Sequence, residues 1–174
     1  HTGDLVNSSK QDDQWKAADK SMKILEEAGV PYGVLPGNHD VGFDKCDYSN
    51  FWKYFGDNRF NNKPHFGGSM KNNKNHFDLI SVGDEDFIFV YLGWKVNEES
   101  IKWANQVLRK YSDRRAVIAV HSYIAKHRTY YDRGQEIMDR VIKPNENVFM
   151  VLCGHFFGTA KYKRKIGDRM VHEL

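Results

Sequence analysis

The sequence has little cysteine and lacks both a long apolar run and a marked excess of charge of one sign. Only two of the 174 residues are cysteines, Cys46 and Cys153, and their wide separation excludes a CxxC metal pair and a disulfide framework. The longest apolar runs, such as residues 87–93, are far shorter than the roughly 20 residues of a membrane-spanning helix. Lys and Arg outnumber Asp and Glu by only 26 to 23, which is too small an excess to indicate a nucleic-acid or membrane partner.

The composition is typical of a folded globular domain. Hydrophobic residues make up 40% of the chain and charged residues 28%, which excludes a disordered or collagen-like polypeptide. No linker, low-complexity stretch or repeat divides the chain, so residues 1–174 are interpreted as one domain. Because the chain starts at His1 rather than at a methionine, it reads as a fragment that is truncated at both ends.

Hydrophobic periodicity predicts strands that alternate with helices. Trp15, Ala18, Met22 and Leu25 recur at helical spacing, and apolar runs without such spacing are typical of buried strands. The predicted helices cover residues 12–28, 47–55, 98–111 and 134–142. The predicted strands cover residues 1–3, 32–35 and 116–120, then 148–153, with hairpins at 77–93 and 159–174 and a long surface excursion at 57–75. This alternation predicts an α/β fold whose sheet is buried on both faces.

Polar residues follow four of the predicted strands at the point where each strand ends. They are Asp4, Asn38, His121 and His155. Asp4 and Asn38 are 34 positions apart, as are His121 and His155, and this interval is the size of one strand–helix–strand unit. A right-handed crossover makes the strands of each unit parallel, and open α/β sheets bind ligands at the carboxyl ends of their strands. Two oxygen donors and two imidazoles form a mixed site that favours Zn, Mn, Fe or Ni over Mg or Ca.

These elements, in this order, resemble the calcineurin-like metallophosphoesterase family. The family pattern is D-x-H, then G-D-x-x-D/N, then G-N-H-D/E, then a single His, then G-H-x-H. The chain has GDLVN at residues 3–7, GNHD at 37–40, His121, and GHFF at 154–157. The resemblance covers almost the whole chain and implies the family's four-layer α/β/β/α sandwich, here as a partial domain.

The resemblance also implies a function and a role for each matching residue. It implies hydrolysis of phosphate mono- or diesters by metal-bound hydroxide at a dinuclear centre. Asp4 would bridge two divalent cations of the Mn, Fe or Zn type, while Asn38, His121 and His155 would complete one of the two sites. His39 would contact the phosphate or act as general acid, and Asp40 is predicted to assist it. The full-length family pattern holds two ions, and this chain would hold one or none.

The chain departs from the family pattern in three places. The D-x-H element is missing, Phe157 stands where the pattern has a histidine ligand, and Asn7 stands where many members have an aspartate. A phenyl ring cannot bind a metal ion, and an amide supplies no charge to stabilise a protonated His39. A degenerate, non-catalytic metal-binding or scaffolding domain therefore stays open as the alternative to an enzyme.

Other features of the sequence leave their interpretation open. Residues 122–133 follow a ligand-bearing strand, and they supply Lys126, Arg128 and Arg133 together with Tyr130 and Tyr131. These side chains would meet an anionic substrate or would form a solvated loop, and the sequence supports both readings equally.

The remaining features favour structural roles. The basic run at 161–165 is interpreted as a solvated hairpin face, so a nucleic-acid partner is not supported. His76 matches no motif position and is interpreted as structural. Some bacterial members of the family are exported, so an exported or cell-surface location is compatible with the resemblance, and the compartment stays undetermined.

Overall fold

A computed structural model describes residues 1–125, 127 and 129–174. Six α-helices occur within these described residues. They are α1 (Asp12–Glu27), α2 (Asn38–Val41), α3 (Ser49–Phe55), α4 (Asp57–Phe60), α5 (Glu98–Lys110) and α6 (Gly134–Ile137). The last of them continues directly into a π-helical turn, Met138–Ile142. None of the helices in the described part of the chain has the length and apolar character needed to cross a bilayer.

The strands form one mixed sheet of seven. They are β1 (Phe66–Met70), β2 (Asn75–Val82), β3 (Glu85–Leu92), β4 (Arg115–Val120), β5 (Val148–Leu152), β6 (Tyr162–Ile166) and β7 (Arg169–Glu173). Their order in the sheet is β1-β2-β3-β4-β5-β7-β6. The central strands β3, β4, β5 and β7 are parallel, whereas antiparallel hairpins form both edges. The α/β fold class predicted from the sequence is therefore confirmed.

One face of this sheet packs against α5 and the helical segment 134–142. Helix α5 begins where the Asn97 side chain accepts a hydrogen bond from the backbone N–H of Ser100, an arrangement that satisfies a free N–H of the first turn. Its apolar residues Ile101, Ala104 and Leu108 lie on one side and are buried against the sheet. Burial of this apolar stripe holds the helix in place, since isolated helices of this length are marginal in water.

The other face of the sheet is covered by two extended segments at residues 1–4 and 31–37. His1 bonds both Gly33 and Leu35 through its backbone, with N–O distances of 2.8 and 3.4 Å, which is the pattern of a parallel pair. Leu35 packs on Tyr91 and Ala119 of the sheet. The extended pair therefore forms a layer of its own, and it brings residues 4 and 38 to the edge where β4 and β5 end.

Helices α1 and α3 cover the outer side of these extended segments. Val34 alternates with Leu35 and faces outward, where it packs with Trp15 of α1 and Phe51 of α3. Trp15, Phe51 and Val34 are all fully buried. The order of layers is thus helices, sheet, paired extended segments, helices, as the four-layer sandwich requires.

The structure differs from the sequence prediction in three places. Residues 1–3 and 32–35 were expected to be strands, but they are extended segments with too few hydrogen bonds to count as ladder strands. The excursion predicted at 57–75 contains helix α4, strand β1 and the buried side chain of Asn73. Asn73 Nδ2 donates to the Phe55 carbonyl oxygen at 2.6 Å. A polar residue of this segment therefore makes an internal hydrogen bond, which hydrophobic periodicity cannot predict.

Candidate metal centre

The four predicted ligands lie together at the ends of the strands and the extended segments. His121 Nε2 is 3.3 Å from Asp4 Oδ2 and 3.0 Å from Asn38 Oδ1. His155 Nδ1 is 2.9 Å from Asn38 Oδ1 and 3.2 Å from His121 Nε2. The ligand atoms of Asp4, His121 and His155 all lie within 4.8 Å of one another. The structure thus brings together the four side chains that the sequence selected.

The protonation of His121 indicates that this cluster requires a positive charge. Its Nδ1 lies 2.7 Å from the carbonyl oxygen of Thr2, and because a carbonyl oxygen only accepts, Nδ1 carries the proton. A neutral ring therefore presents a lone pair at Nε2, facing the accepting oxygens of Asp4 and Asn38. A second proton on the ring or a bound cation resolves this arrangement, so the donor set fits a divalent metal with mixed nitrogen and oxygen ligands.

The pKa values of the cluster reflect the same electrostatics. Burial is the largest single influence and disfavours the charged forms of Asp4 and His121, but their mutual hydrogen bond and charge attraction, together with hydrogen bonds to the backbone of His39 and Thr2, outweigh it, so that the pKa of Asp4 is lowered and that of His121 is raised. Burial and the neighbouring His121 lower the pKa of His155. His155 is therefore held neutral, which is the form in which an imidazole binds a metal.

Close approach of the backbone makes this convergence possible. A β-carbon at Gly37 would lie 2.3 Å from Asp4 Oδ1 and 2.8 Å from His121 Cε1, distances at which no side chain fits. His155 has φ +70°, a left-handed conformation that is uncommon for residues other than glycine. The Gly154 N–H donates to the His121 carbonyl oxygen at 3.0 Å, and this bond joins the loop after β5 to the end of β4.

His39 lies beside the four ligands and is oriented by the main chain. Its Nδ1 is 2.7 Å from the carbonyl oxygen of Asn7, and its backbone N–H donates to Asp4 Oδ1 at 3.0 Å. The sequence drew attention to the side chain of Asn7, but the orienting contact comes from the backbone at that position. Nδ1 therefore carries a proton, and Nε2 is the ring nitrogen left free to serve a ligand.

Asp40 is fully buried and binds two backbone amides. Its Oδ1 accepts from the Val6 N–H at 3.0 Å, and its Oδ2 accepts from the Gly37 N–H at 2.7 Å. Burial raises its pKa to about 6, although these two hydrogen bonds work in the opposite direction. The carboxyl group thus connects the loop that carries Asp4 to the turn that carries Asn38 and His39.

Aromatic side chains form the wall around the imidazoles. Trp94 is buried and lies edge-on to His121, with ring centroids 5.7 Å apart, and 5.4 Å from the ring of His155. A cavity of about 540 Å³ opens in front of the ligands, and it is lined by Gly3, Asp4, His39, His121, His155, Phe156 and Phe157. Sequence reasoning missed the Thr2 carbonyl, which has no signature in the sequence because every residue carries a carbonyl group.

The described residues of the segment 122–133 make contacts of two kinds. Arg133 is paired with Glu98 and Glu136, and the Tyr130 hydroxyl donates to Glu173 at 3.2 Å. Tyr131 is exposed and lies close to the ligand loop. Lys126 and Arg128 lie outside the described residues.

The basic run at 161–165 lies on the edge strand β6. Lys163 and Lys165 are exposed there, while Arg164 on the opposite face pairs with the buried Glu173. The run therefore combines a solvated strand face with one internal ion pair, as the structural interpretation expected.

Comparisons with known proteins identify the family. A family model described as calcineurin-like phosphoesterase matches residues 1–156. The chain is 45% identical over 181 residues to the uncharacterized protein YvnB of Bacillus subtilis, covering 100% of this chain and 14% of that protein. It is 25% identical over 169 residues to acid phosphatase type 7 of Mus musculus, covering 96% of this chain and 36% of that protein.

A solved structure supports the fold. The protein TT1561 of Thermus thermophilus matches with a TM-score of 0.55 at 15% identity, over 98% of this chain and 73% of that chain. At this level of identity the match shows the fold alone. The chain spans well under half the length of the curated relatives above. Because the family model matches most of its length, the chain belongs to the calcineurin-like phosphoesterase family.

Proposed function

We propose that this chain is the partial catalytic domain of a metal-dependent phosphoesterase that hydrolyses phosphate mono- or diesters. The observation that carries the proposal is the convergence of Asp4, Asn38, His121 and His155 within hydrogen-bond distances, at an open cavity that Asp4 and the two histidines line. Family membership supports the reaction class, and the geometry supports these four residues as its ligands.

The four residues would hold one divalent cation of the Mn, Fe or Zn type. In a dinuclear centre, Asp4 would be shared with a second cation whose other ligands lie outside this set. Divalent cations in such a centre neutralise the phosphoryl oxygens and make water a nucleophile near neutral pH. Thr2 and Asn38 would orient the imidazole ligands. The Thr2 carbonyl oxygen fixes the tautomer of His121, and the side-chain oxygen of Asn38 lies between the rings of His121 and His155.

His39 would contact the phosphate or protonate the leaving alkoxide. It lines the cavity, and the Asn7 carbonyl fixes the proton on Nδ1, so Nε2 is free to bind a phosphoryl oxygen or to carry the proton that the leaving group takes. An imidazole suits this task because its ordinary pKa lies close to neutral pH. Asp40 would act as a positioning residue, since its carboxyl group holds the His39 turn against residues 4–7.

The proposal is tested by hydrolysis of a chromogenic phosphate monoester and diester, with the protein supplied with Mn²⁺ and then treated with a chelator. We expect hydrolysis with the metal, none after chelation, and recovery when Mn²⁺ is restored. We also expect His39→Ala to lower the rate by a factor on the order of 10² to 10⁴ while metal binding persists, since positioned acid–base groups contribute that much.

His65→Ala serves as the matched control, because His65 is a half-buried histidine whose Nε2 lies 3.2 Å from the Tyr32 carbonyl oxygen and which is not among the residues that line the cavity. This variant should keep the wild-type rate. Absence of hydrolysis across both ester classes with several divalent metals would contradict the proposal. A wild-type rate in His39→Ala would remove His39 from the reaction.

A further inference from the structure

We infer that Phe157, with Phe156 and Tyr131, forms a ring-binding surface beside the metal centre that selects phosphoesters carrying a planar ring in their alcohol part. This inference rests on the proposed function, because it names the substrate class of the same site. The surface is defined here by these three side chains and is called the ring platform.

The first argument is the exposure of Phe157. Its side chain is 96% exposed, the highest value among the large apolar side chains in the described ranges. Yet it lines the same cavity as Asp4, His39 and both imidazole ligands. Covering an exposed phenyl group with a ligand lowers the free energy, because apolar surface is removed from water. A ligand in this cavity would cover Phe157 while its phosphate faces the metal ligands.

The second argument is the group of packed aromatic rings that precedes Phe157 in the ligand loop. Phe156 stands edge-on to His155 and to Tyr131, with ring centroids 4.9 and 4.8 Å apart and interplanar angles of 81° and 83°. Tyr131 is 48% exposed, so one side of it packs while the other is open. Rings held in this way provide pre-formed faces and edges, and such surfaces attract another planar ring beyond what its buried area alone supplies.

The third argument is size. The cavity of about 540 Å³ is within the range of roughly 300–1,000 Å³ that encloses small organic ligands. Bare inorganic phosphate would leave most of that space to water. The polar floor and the ring platform therefore fit the two ends of a single phosphoester, which has an anionic phosphate at one end and a planar ring at the other.

The test compares two monoesters that differ only in the ring. In 2-phenylethyl phosphate and 2-cyclohexylethyl phosphate the leaving alcohols have similar acidity and length, so the difference in kcat/KM reports the planar ring. We expect the wild-type protein to favour the phenyl ester by about tenfold, the size of an aromatic stacking contribution. Phe157→Ala and Phe157→Leu should reduce this preference to about one, and Phe157→Trp should keep it.

Because Phe157 is exposed, its substitution leaves folding intact. Trp52→Ala removes an exposed aromatic side chain of α3, outside the residues that line the cavity, and should keep the full preference. Adenosine 5′-monophosphate against ribose 5-phosphate forms a second arm. A stronger dependence on Phe157 in that arm than with the phenyl ester assigns the ring to a nucleoside, and the reverse result assigns it to an aryl group.

Binding of non-hydrolysable phosphonates separates this inference from the proposed function. Calorimetry with 2-phenylethylphosphonate and its cyclohexyl analogue should show the same tenfold preference and the same loss in Phe157→Ala. If wild-type protein hydrolyses both esters equally and binds both phosphonates equally, the ring platform is refuted while the proposed function stands. If neither these monoesters nor the chromogenic diester is hydrolysed but the phosphonate preference depends on Phe157, the proposed function fails, and the ring platform stands as a binding surface only.

Discussion

In the described part of the chain, the side chains of a histidine and an aspartate approach each other within 4 Å in two places, and the two pairs behave in opposite ways. In the metal centre, His121 Nε2 and Asp4 Oδ2 are 3.3 Å apart at the floor of an open cavity. In the interior, His76 Nε2 and Asp78 Oδ2 are 3.9 Å apart on β2 and almost completely buried. Neither nitrogen of His76 nor either carboxyl oxygen of Asp78 has a hydrogen-bond partner among the described residues.

The electrostatic consequences are opposite as well. In the metal centre, the mutual hydrogen bond favours the charged forms of Asp4 and His121 despite their burial. In the interior, burial raises the pKa of Asp78 to about 7 and lowers that of His76 to about 3, so both groups are driven toward neutrality. The comparison teaches that residue type does not make a site, whereas convergence of donor atoms on accessible space does.

The largest expected effect comes from making the same substitution in both places. His121→Phe should weaken Mn²⁺ or Zn²⁺ binding by more than about 100-fold, since removal of even an indirect support of a ligand costs 10–100-fold. His76→Phe should keep metal binding, because its ring stacks between aromatic neighbours that also accept a phenyl ring. Titration calorimetry of both variants checks this, and equal loss in both would end the distinction.

The next test substitutes the glycine that lies beside each histidine–aspartate pair, Gly33 in the interior and Gly37 in the metal centre. A β-carbon at Gly33 would lie 2.4 Å from Tyr91 Cζ and 2.6 Å from Asp78 Oδ2, while one at Gly37 would crowd Asp4 and His121. Gly33→Ala should lower the free energy of unfolding by about 1–3 kcal/mol, the usual cost of overpacking, with metal affinity kept. Gly37→Ala should weaken metal affinity as well. Denaturant unfolding and metal titration of each variant check this. Weakened metal affinity in Gly33→Ala, or unchanged affinity in Gly37→Ala, would contradict the prediction.

The pH dependence of stability separates His76 from Asp78. Because the folded pKa of His76 is about 3, below its unfolded value, its contribution rises with pH between about 3 and 6.5. Because the folded pKa of Asp78 is about 7, above its unfolded value, its contribution is full at low pH and is lost between about 4 and 7. The two slopes oppose each other in wild-type protein.

Removing either group should expose the slope of the other. In its own pH profile, His76→Phe should lose stability as pH rises from about 4 to 7, because only the Asp78 slope remains, and Asp78→Asn should gain stability from about 3 to 6.5, because only the His76 slope remains, each on the order of 1 kcal/mol per pH unit. Urea unfolding at several pH values measures both curves. Parallel curves for the two variants and the wild type would show that this pair does not titrate as described.

The smallest expected effect is at Asn7. The contact that orients His39 comes from the Asn7 carbonyl oxygen, which survives any side-chain substitution. Asn7→Ala should therefore keep the hydrolysis rate within about twofold, since changes away from structural contacts stay near 0.5 kcal/mol. Steady-state kinetics at constant metal concentration checks it, and a tenfold loss would mean that the side chain, not the backbone, serves His39.

Much of the metal centre was predictable because it depends on strand ends. Apolar runs located β4 and β5, and the polar residues that follow them fixed His121 and His155. Parallel pairing of β4 with β5 then confirmed that these ends are neighbours. Asp4 and Asn38 were predicted by the same logic, although the segments before them are extended rather than ladder strands.

The contacts that tune the centre were not predictable. The Thr2 and Asn7 carbonyls carry no residue signature, so sequence alone cannot show which tautomers His121 and His39 adopt. Asp40 was predicted as a catalytic partner of His39 from the motif, whereas its burial and two amide bonds are consequences of tertiary packing. The interior pair was equally hidden, because a periodicity of two gives no information about partners across a layer.

The two outer strands of the sheet bear on how separate molecules meet. A free strand edge invites another chain to extend the sheet, which leads to aggregation. On β6, the exposed Lys163 and Lys165 would bring like charges together in any such union. On β1, a register irregularity between Phe66 and Gly68 interrupts the row of hydrogen-bonding groups. Both edge strands therefore disfavour pairing with a second molecule, β6 through charge repulsion and β1 through its irregular hydrogen-bonding pattern.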